Sequence, residues 1–370
     1  MKIVLTGGAT GGHIYPALAI GDTFKAKDPG CEIIYIASGN SLEKQIIPDK
    51  GYTLYEVESR PLDRRNIRKI ASTLGGTLKG RKQALKIMKG FKPDVVVSTG
   101  SYVSVPVVLA AHSLGASVYL HEQNGFPGVS NRFLARYARK VFLGFEGARE
   151  IFEKSVKDPD KIIYSGNPVR SEFSGRIREE DRKTLGIPEE DFVIMVFGGS
   201  LGSETTNSIG ESVAREYADK PGYTIIWGTG SMYYDEIISG FAAEGFAPSN
   251  VRILPFIKNI PEMLSAANLT VSRSGALSTA ETTMEGRAAI FIPSPNVTAD
   301  HQYYNAKAVA DNGGAFIVRE SEYTARDVLR IIRELDADRD QILQMEIASR
   351  EVAPVDATDI IYNTIMQTYK

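Results

Sequence analysis

The sequence predicts an α/β protein made of two domains, each with a parallel sheet covered by helices on both faces. Two observations indicate this class. Short β-branched apolar segments alternate with helix-length amphipathic segments along all 370 residues, and a glycine-rich loop follows one apolar segment in each half of the chain. A chain of this length is long enough for two domains of about 150–200 residues. We therefore expect two nucleotide-type domains that face each other across a cleft.

Thirteen apolar segments are candidate strands, and the helix-length stretches between them favour parallel pairing. In chain order they are residues 2–6, 32–37, 53–57, 94–98, 117–121, 140–144, 161–165, 192–197, 223–227, 251–254, 269–272, 289–292 and 316–319. The segment Gly166–Arg170 contains a proline, which favours an extended connector. We therefore predict an N-terminal domain over 1–166, a C-terminal domain over 167–355, and a terminal helix over 356–370 that returns to the first domain.

The composition is that of an ordinary globular protein, with 43% hydrophobic and 24% charged residues. Cys31 is the only cysteine, which excludes an internal disulfide, and with four histidines it argues against a Cys/His metal cage. No basic, apolar leader opens the chain, and no apolar run approaches the roughly 20 residues that span a bilayer. We expect a cytoplasmic protein that does not cross the membrane.

Both glycine-rich loops follow an apolar strand and precede a helix, which aims backbone N–H groups and a helix N-terminus at an anion. The first loop is Thr6–His13 and the second is Phe197–Ser203. The first lacks the Lys-Ser/Thr of a P-loop and the G-x-G-x-x-G spacing of dinucleotide folds. Phosphate or sugar contact is favoured for it, with a structural tight turn as the alternative. His13 begins the helix, where it is a candidate general base or a cap of the turn.

Two further strands end in polar side chains, at the sheet edge where open parallel sheets bind ligands. His121–Gly125 offers four polar side chains, which favours hydrogen bonds to a polyhydroxylated ligand over a simple turn. Arg273–Ser278 leads into a helix whose Glu281 can accept hydrogen bonds from a vicinal diol such as a ribose. The alternative for Glu281 is an acid that complements the helix dipole.

Two D-x-D segments match the spacing that holds a metal–diphosphate in some transferases. They are Asp158–Asp160 and Asp336–Asp338, and both lie in charged, surface-like sequence rather than after an apolar strand. We interpret both as solvated loops and expect no metal site.

The charge is distributed unevenly, although the net charge is only −2. Residues 60–92 hold eleven Lys and Arg against one acid, Asp63, and carry apolar residues at helical spacing on either side of Gly75-Gly76, where we expect the helix to break. A basic amphipathic segment suits an anionic membrane surface. Nucleic acid is less favoured because Phe91 is the only aromatic residue in the segment. A solvated face over an ordinary core stripe remains the alternative.

With these motifs assembled, the chain resembles the MurG family, the N-acetylglucosaminyltransferases of peptidoglycan synthesis, over nearly its whole length. Ser101 stands where the family usually has a second glycine, and Ala9 where glycine is frequent. The motifs that carry the resemblance are GGATGGH (7–13), GSYVS (100–104), HEQNG (121–125), GNPVR (166–170), GGSLG (198–202), RSGAL (273–277) and HQYYNA (301–306).

The resemblance implies a GT-B fold, with two Rossmann-like domains, parallel sheets and an inter-domain cleft. It implies transfer of N-acetylglucosamine from UDP-GlcNAc to the C4 hydroxyl of the muramyl sugar of lipid I, with inversion, to form lipid II. His13 is the candidate base and lies on the acceptor side with Ser101 and Tyr102. The implied UDP-GlcNAc contacts are Thr10, Gly11, Gly12, Asn124, Arg170, Ser200, Ile257, Ala276, Leu277, Ser278, Glu281 and Gln302. By motif position, Ile257 would meet the uracil through its backbone, Glu281 the ribose hydroxyls and Ser200 the diphosphate.

No cofactor is expected, because backbone donors and a helix N-terminus can stabilise a diphosphate without a metal. The implied partners are UDP-GlcNAc, lipid I, an anionic membrane surface through residues Arg60–Lys92 and other cell-wall enzymes, and not nucleic acid. The protein would act peripherally at the cytoplasmic face of the membrane, in cell-wall growth, cell shape and division. Two other classes remain as alternatives: UDP-N-acetylglucosamine 2-epimerases, which share the fold, and non-catalytic proteins that bind membranes or nucleic acid.

Overall fold

The computed structural model describes residues 1–61, 67–199, 201–353 and 356–369, and residues 67–72 by their backbone only. The chain divides into two units, one of Met1–Arg170 with Val355–Lys370 and one of Ser171–Pro354. The division after Arg170 lies four residues beyond the predicted boundary at 166.

The first unit is built on a seven-stranded parallel sheet. Its strands are β1 Lys2–Thr6, β2 Glu32–Ala37, β3 Thr53–Glu56, β4 Val95–Ser98, β5 Ser117–Glu122, β6 Lys140–Leu143 and β7 Ile162–Tyr164. Its helices are α1 Gly11–Lys27, α2 Ser41–Asp49, α3 Ile67–Phe91, α4 Ser104–Ser113, α5 Val129–Leu134 and α6 Arg149–Glu153. The strand order is β3-β2-β1-β4-β5-β6-β7. Neighbouring residues such as Val4 and Leu5 belong to different apolar clusters and are both buried, so the sheet is covered on both faces.

The second unit is built on a six-stranded parallel sheet. Its strands are β8 Phe192–Phe197, β9 Tyr223–Gly228, β10 Val251–Leu254, β11 Leu269–Ser272, β12 Ala288–Phe291 and β13 Ala315–Ile317, in the order β10-β9-β8-β11-β12-β13. Its helices are α7 Arg178–Leu185, α8 Glu204–Tyr217, α9 Tyr234–Glu244, α10 Ile260–Ala266, α11 Ala276–Met284, α12 His301–Ala310, α13 Ala325–Ala337 and α14 Arg339–Val352. Every residue of the central strand β8 is buried.

The terminal helix α15, Ala357–Thr368, packs on α1 of the first unit. Ile361 and Ile365 are fully buried in the apolar cluster that contains Phe24 of α1. The rings of Phe24 and Tyr362 lie 4.9 Å apart. The apolar stripe of α15 therefore completes the core of the first unit rather than that of the second.

The strands were predicted well, because most of them are largely apolar segments. The break expected in the basic segment is wrong. Helix α3 runs without interruption through Gly75 and Gly76. Each glycine costs a helix about 1 kcal/mol relative to alanine, but α3 packs along the core through Ala84 and Met88, both fully buried. Packing of this apolar face outweighs the local preference. Within the described residues, no helix is both long and apolar enough to cross a membrane.

Candidate functional site

Each sheet places its two glycine-bearing loops next to one another. Strand β1 pairs with both β2 and β4, and β8 pairs with both β9 and β11, so the strand order reverses direction at β1/β4 and at β8/β11. Ligands of open parallel sheets bind outside the carboxyl ends of the strands at such switch points. The loops after β1 and β4 therefore flank one candidate site in the first unit, and those after β8 and β11 flank another in the second.

Buried polar side chains contact the first glycine loop and fix its conformation. A Cβ atom on Gly7 would lie 1.9 Å from Oγ1 of Thr99, so only glycine fits there. The fully buried Glu43 accepts a hydrogen bond from the N–H of Ala9 at 2.8 Å through Oε1. Its Oε2 accepts three more, from Ser38 Oγ and from the N–H groups of Gly39 and Asn40. Sequence reasoning missed Glu43, although the capping box that it forms with Asn40 is a recognisable pattern.

His13 stands in the first turn of α1 with one ring nitrogen anchored. Its Nδ1 lies 2.8 Å from the carbonyl oxygen of Thr99 and 3.1 Å from Oε1 of Gln123. A carbonyl oxygen can only accept, so Nδ1 carries the hydrogen and donates it. In the neutral ring Nε2 then holds the lone pair, and it is the atom that can take a proton from a substrate hydroxyl.

The polar segment His121–Gly125 begins in the last two residues of β5. Most of its side chains bond within the unit, contrary to the interpretation that all four bind a ligand. His121, Glu122 and Gln123 are at most 1% exposed. Burial lowers the pKa of His121 to about 4, which keeps its ring neutral. Glu122 accepts hydrogen bonds from the N–H groups of Asn124 and Gly128. Asn124, a predicted donor contact, is the half-buried member of the four.

The acceptor-side residues Ser101 and Tyr102 lie in the loop after β4. Ser101 has φ +77°, a left-handed conformation that favours glycine. Its Oγ is buried and has no hydrogen-bond partner among the described residues. Tyr102 is half-buried against the apolar cluster of the first unit, and its carbonyl accepts from Ser59 Oγ at 3.0 Å. A buried hydroxyl without a partner is a group that a ligand oxygen could satisfy.

A pocket of about 530 Å³ lies at the carboxyl end of the sheet in the second unit. The second glycine loop forms one wall, and the first residues of α8 and of α11 form others. The first amides of a helix have no partner within the helix and carry its positive dipole end. The lining residues are Phe197, Gly198, Gly199, Gly202, Ser203, Glu204, Thr205, Tyr233, Arg273, Gly275, Ser278, Ser294, Asn296, Gln302 and Glu320.

Arg273 brings a permanent positive charge to this pocket. Its guanidinium donates to Oγ of Ser203 at 2.6 Å and to the carbonyl of Ile292 at 3.1 Å, and it pairs with Glu320. The pocket therefore combines two helix N-termini, glycine amides and a guanidinium, which is an arrangement for a phosphate-bearing anion. Sequence reasoning missed Glu320. This residue follows the short strand β13 in a segment of charged residues that contains no recognisable motif.

The predicted donor contacts fall into two groups, one in each unit. Thr10 precedes α1, Gly11 and Gly12 are its first two residues, and Asn124 and Arg170 also belong to the first unit. In the second unit Ala276, Leu277 and Ser278 are the first three residues of α11, and Glu281 lies half-buried in the next turn.

Of the remaining predicted contacts, Gln302 is the second residue of α12. Its side-chain oxygen accepts from the N–H of Ser294 at 2.8 Å, which ties the loop after β12 to the pocket wall. Ile257 is 8% exposed and packs over the end of β9 at Gly228. Ser200 lies outside the described residues.

The D-x-D segments differ from one another. Asp158 is exposed in a turn, where it accepts from the N–H of Asp160. Asp336 was expected in a solvated loop, but it lies in the last turn of α13 and accepts from the hydroxyls of Tyr217 and Tyr223. In the part of the chain that the structure describes, no three His, Cys, Asp or Glu side chains are grouped as metal ligands.

Comparisons with known proteins place both units in one glycosyltransferase family. Residues 3–143 match the glycosyltransferase family 28 N-terminal domain, and residues 193–360 match its C-terminal domain. A UDP-N-acetylglucosamine–N-acetylmuramyl-(pentapeptide) pyrophosphoryl-undecaprenol N-acetylglucosamine transferase of Bacillus cereus is 36% identical, with all of both chains covered. The same-named protein of Acetivibrio thermocellus is 35% identical, over all of this chain and 99% of the relative.

Two solved structures are similar over nearly the whole chain. MurG of Acinetobacter baumannii is 26% identical with a TM-score of 0.78, and 99% of each chain is covered. A UDP-GlcNAc 2-epimerase of Neisseria meningitidis bound to UDP-GlcNAc has a TM-score of 0.67 at 14% identity, with all of both chains covered, and this shows likeness of fold alone.

Proposed function

The chain belongs to glycosyltransferase family 28, and from that premise we propose that it transfers N-acetylglucosamine from UDP-GlcNAc to lipid I, the undecaprenyl-diphospho-muramoyl-pentapeptide, and so forms lipid II. The full-length relatives are named for this transfer. In finer detail, the acceptor group is the C4 hydroxyl of the muramyl sugar and the anomeric carbon is inverted. The product is a precursor of peptidoglycan, so the activity serves wall growth, cell shape and division beside other cell-wall enzymes.

The observation that carries the proposal is the anion pocket of the second unit. Negative charge grows on the diphosphate as UDP leaves the sugar. The N-termini of α8 and α11 and the guanidinium of Arg273 are fixed donors that stabilise this charge as it develops. Ala276, Leu277 and Ser278 would contact the nucleotide through the start of α11, Glu281 the ribose and Ile257 the uracil. The chain's own groups supply this stabilisation in our account, and we assign no role to a cofactor.

In the first unit His13 acts as the base. Nε2 of the neutral ring accepts the proton of the acceptor hydroxyl, while Nδ1–H stays bonded to the carbonyl of Thr99. The hydroxyl oxygen attacks the anomeric carbon on the face opposite UDP, the bond to the diphosphate breaks, and UDP carries away the electron pair. Ser101 and Tyr102 would line the acceptor side. A single displacement of this kind inverts the sugar.

Helix α3 supports peripheral attachment to the cytoplasmic face of the membrane, where a lipid-linked acceptor lies. Leu74 and Leu78 are 59% and 61% exposed, although both are apolar and one turn apart. Lys79, Arg81 and Lys82 follow them on the same helix. An apolar pair flanked by cations inserts into the boundary of an anionic bilayer. Of the other basic residues in this segment, Arg64 and Arg65 lie outside the described residues, as do the side chains of Arg68 and Lys69.

One incubation separates this proposal from its alternatives. The protein is mixed with labelled UDP-GlcNAc and a lipid I analogue, and the products are resolved by chromatography. Label in the lipid supports the transferase. Conversion to the manno sugar nucleotide without an acceptor supports a 2-epimerase, whose fold this chain shares. Neither product, with liposome or nucleic-acid binding intact, supports a non-catalytic binding protein.

A further inference from the structure

A continuous chain of hydrogen bonds lies behind His13. Oε1 of Gln123 is 3.1 Å from Nδ1 of His13, and Nε2 of the same amide is 2.9 Å from Nδ1 of His121. Nε2 of His121 is in turn 3.0 Å from the carbonyl oxygen of Gly166. We infer that Gln123 and His121 are positioning residues that orient the ring of His13 and stabilise its protonated form. The inference rests on the proposed role of His13 as the base.

The carbonyl of Gly166 determines the donor and the acceptor in each of these hydrogen bonds. Because the Gly166 oxygen only accepts, Nε2 of His121 carries the hydrogen and its Nδ1 presents a lone pair. Gln123 can satisfy that lone pair only with its NH₂ group, which turns Oε1 toward His13. Oε1 is then a second acceptor, beside the carbonyl of Thr99, for the Nδ1–H of His13.

The arrangement works only while His121 is neutral. A protonated His121 would present Nδ1–H, turn the amide of Gln123 and set an NH₂ group against the Nδ1–H of His13. Burial is the main cause that lowers the pKa of His121 to about 4, and the neighbouring His13 adds to it. The nearest carboxylate in sequence, Glu122, points to the other face of the strand and binds Asn131 and Gly128. Thr99 and Gly166 contribute only uncharged groups: their carbonyls and the hydroxyl of Thr99.

The chemical consequence concerns the moment of proton transfer. When Nε2 of His13 takes the proton of the acceptor hydroxyl, the ring becomes a cation whose Nδ1–H is shared by two oxygen atoms. A hydrogen bond to a charged group is stronger than one between neutral groups, so this second acceptor favours the protonated ring. Loss of the Gln123 oxygen would therefore make the ring a weaker base without removing it from the site.

The first test is ring ¹⁵N–¹H NMR on the full, ligand-free chain, with the four histidines assigned by single substitutions. We expect the Nδ1–H tautomer for His13 and the Nε2–H tautomer for His121. The opposite tautomer at either ring would overturn the inference. This readout does not depend on catalysis, so it stands or falls separately from the proposed transferase activity.

The second test is the pH profile of kcat/KM for Gln123→Leu and His121→Leu. His112→Leu is the control, because His112 is exposed and its ring lies against that of Tyr137, away from the hydrogen bonds described above. The acid limb of the profile should move about one unit toward lower pH in the first two variants and stay in place in the control. A lower rate with an unmoved limb would mean a merely structural role and would overturn the inference. If either variant fails to fold, the tautomers measured in the natural chain still test the inference.

Discussion

The carboxylate of Glu43 accepts the N–H of Ala9 at 2.8 Å, and Ala9 has φ +70°. A fully buried acid thus holds a residue with a side chain in a conformation that favours glycine. Ser101, in the adjacent loop after β4, has φ +77°. These are the two positions at which the chain departs from the glycines usual in the family it resembles, so the backbone explains why glycine is usual there.

Replacing these residues by glycine should stabilise the first unit. A left-handed conformation costs an L-residue about 1–2 kcal/mol, which glycine would save. Glycine also loses more backbone entropy on folding, and this offsets about 0.5–1 kcal/mol of the saving. Ala9→Gly should therefore gain about 0.5–1 kcal/mol in calorimetric unfolding, and Ser101→Gly somewhat more because its buried Oγ has no partner among the described residues. Ala19→Gly within helix α1 is the control, and it should lose about 1 kcal/mol. Destabilisation by Ala9→Gly would mean that the loop is not strained.

Glu281→Ala should raise the KM for UDP-GlcNAc by about tenfold or more, because a carboxylate that accepts from the ribose hydroxyls makes charged hydrogen bonds worth about 1.5–3 kcal/mol. Glu244→Ala is the matched control, since Glu244 forms an exposed ion pair with Arg215 in the same unit. Initial rates at saturating acceptor give both values. An unchanged KM in Glu281→Ala would show that this side chain does not bind the donor.

Glu285, at the end of α11, predicts a pH dependence of stability. Burial raises the pKa of this carboxyl to about 7 from an ordinary 4.5. Its protonated form is favoured in the folded state, so the stability that it contributes is full below pH 4.5 and is lost as the pH rises through about 7. Glu285→Gln should therefore be more stable than the natural chain at pH 8, by up to about 3 kcal/mol, and no more stable at pH 4.5.

Trp227 is the only tryptophan and is buried in the second unit, so its fluorescence in urea reports the unfolding of the unit that holds Glu285. Glu244→Gln serves as the exposed control. Equal stability differences at both pH values for Glu285→Gln would show that this carboxyl ionises normally.

Attachment through α3 predicts that binding to anionic vesicles weakens with salt. The basic residues act over a Debye length that shrinks from about 10 Å at 0.1 M to about 3 Å at 1 M salt. The double variant Leu74→Ser with Leu78→Ser should bind more weakly at every salt concentration, because the apolar contact is lost. Lys183→Ser, on α7 of the other unit, is the control. If binding to the vesicles did not change with salt concentration, the contact would be purely apolar and the predicted electrostatic contribution of α3 would be wrong.

The fold could be predicted from the sequence because its signals are local. Most strands are largely apolar segments, as Phe192–Phe197 is, and both glycine loops directly follow such a strand. The supports of the first site could not be predicted in this way. Glu43 is 34 residues from Ala9, and Thr99 is 86 from His13. Only the pairing of β1 with β2 and β4 brings these groups together.

The segment His121–Gly125 shows the same limit. Its composition predicted contacts with a ligand, whereas three of its side chains are buried and bonded within the unit. The number of polar side chains at a strand end thus does not tell which of them face the ligand and which support the loop.

The most direct measurement of the central claim is transfer of label from UDP-GlcNAc to a lipid I analogue by the natural chain, His13→Gln and His112→Gln. We predict lipid-linked product with an inverted anomeric centre from the natural chain and from His112→Gln. His13→Gln should be slower by about 10²–10⁴-fold, with an unchanged KM for UDP-GlcNAc. Absence of transfer by the natural chain while it binds UDP-GlcNAc, or full activity of His13→Gln, would contradict the account.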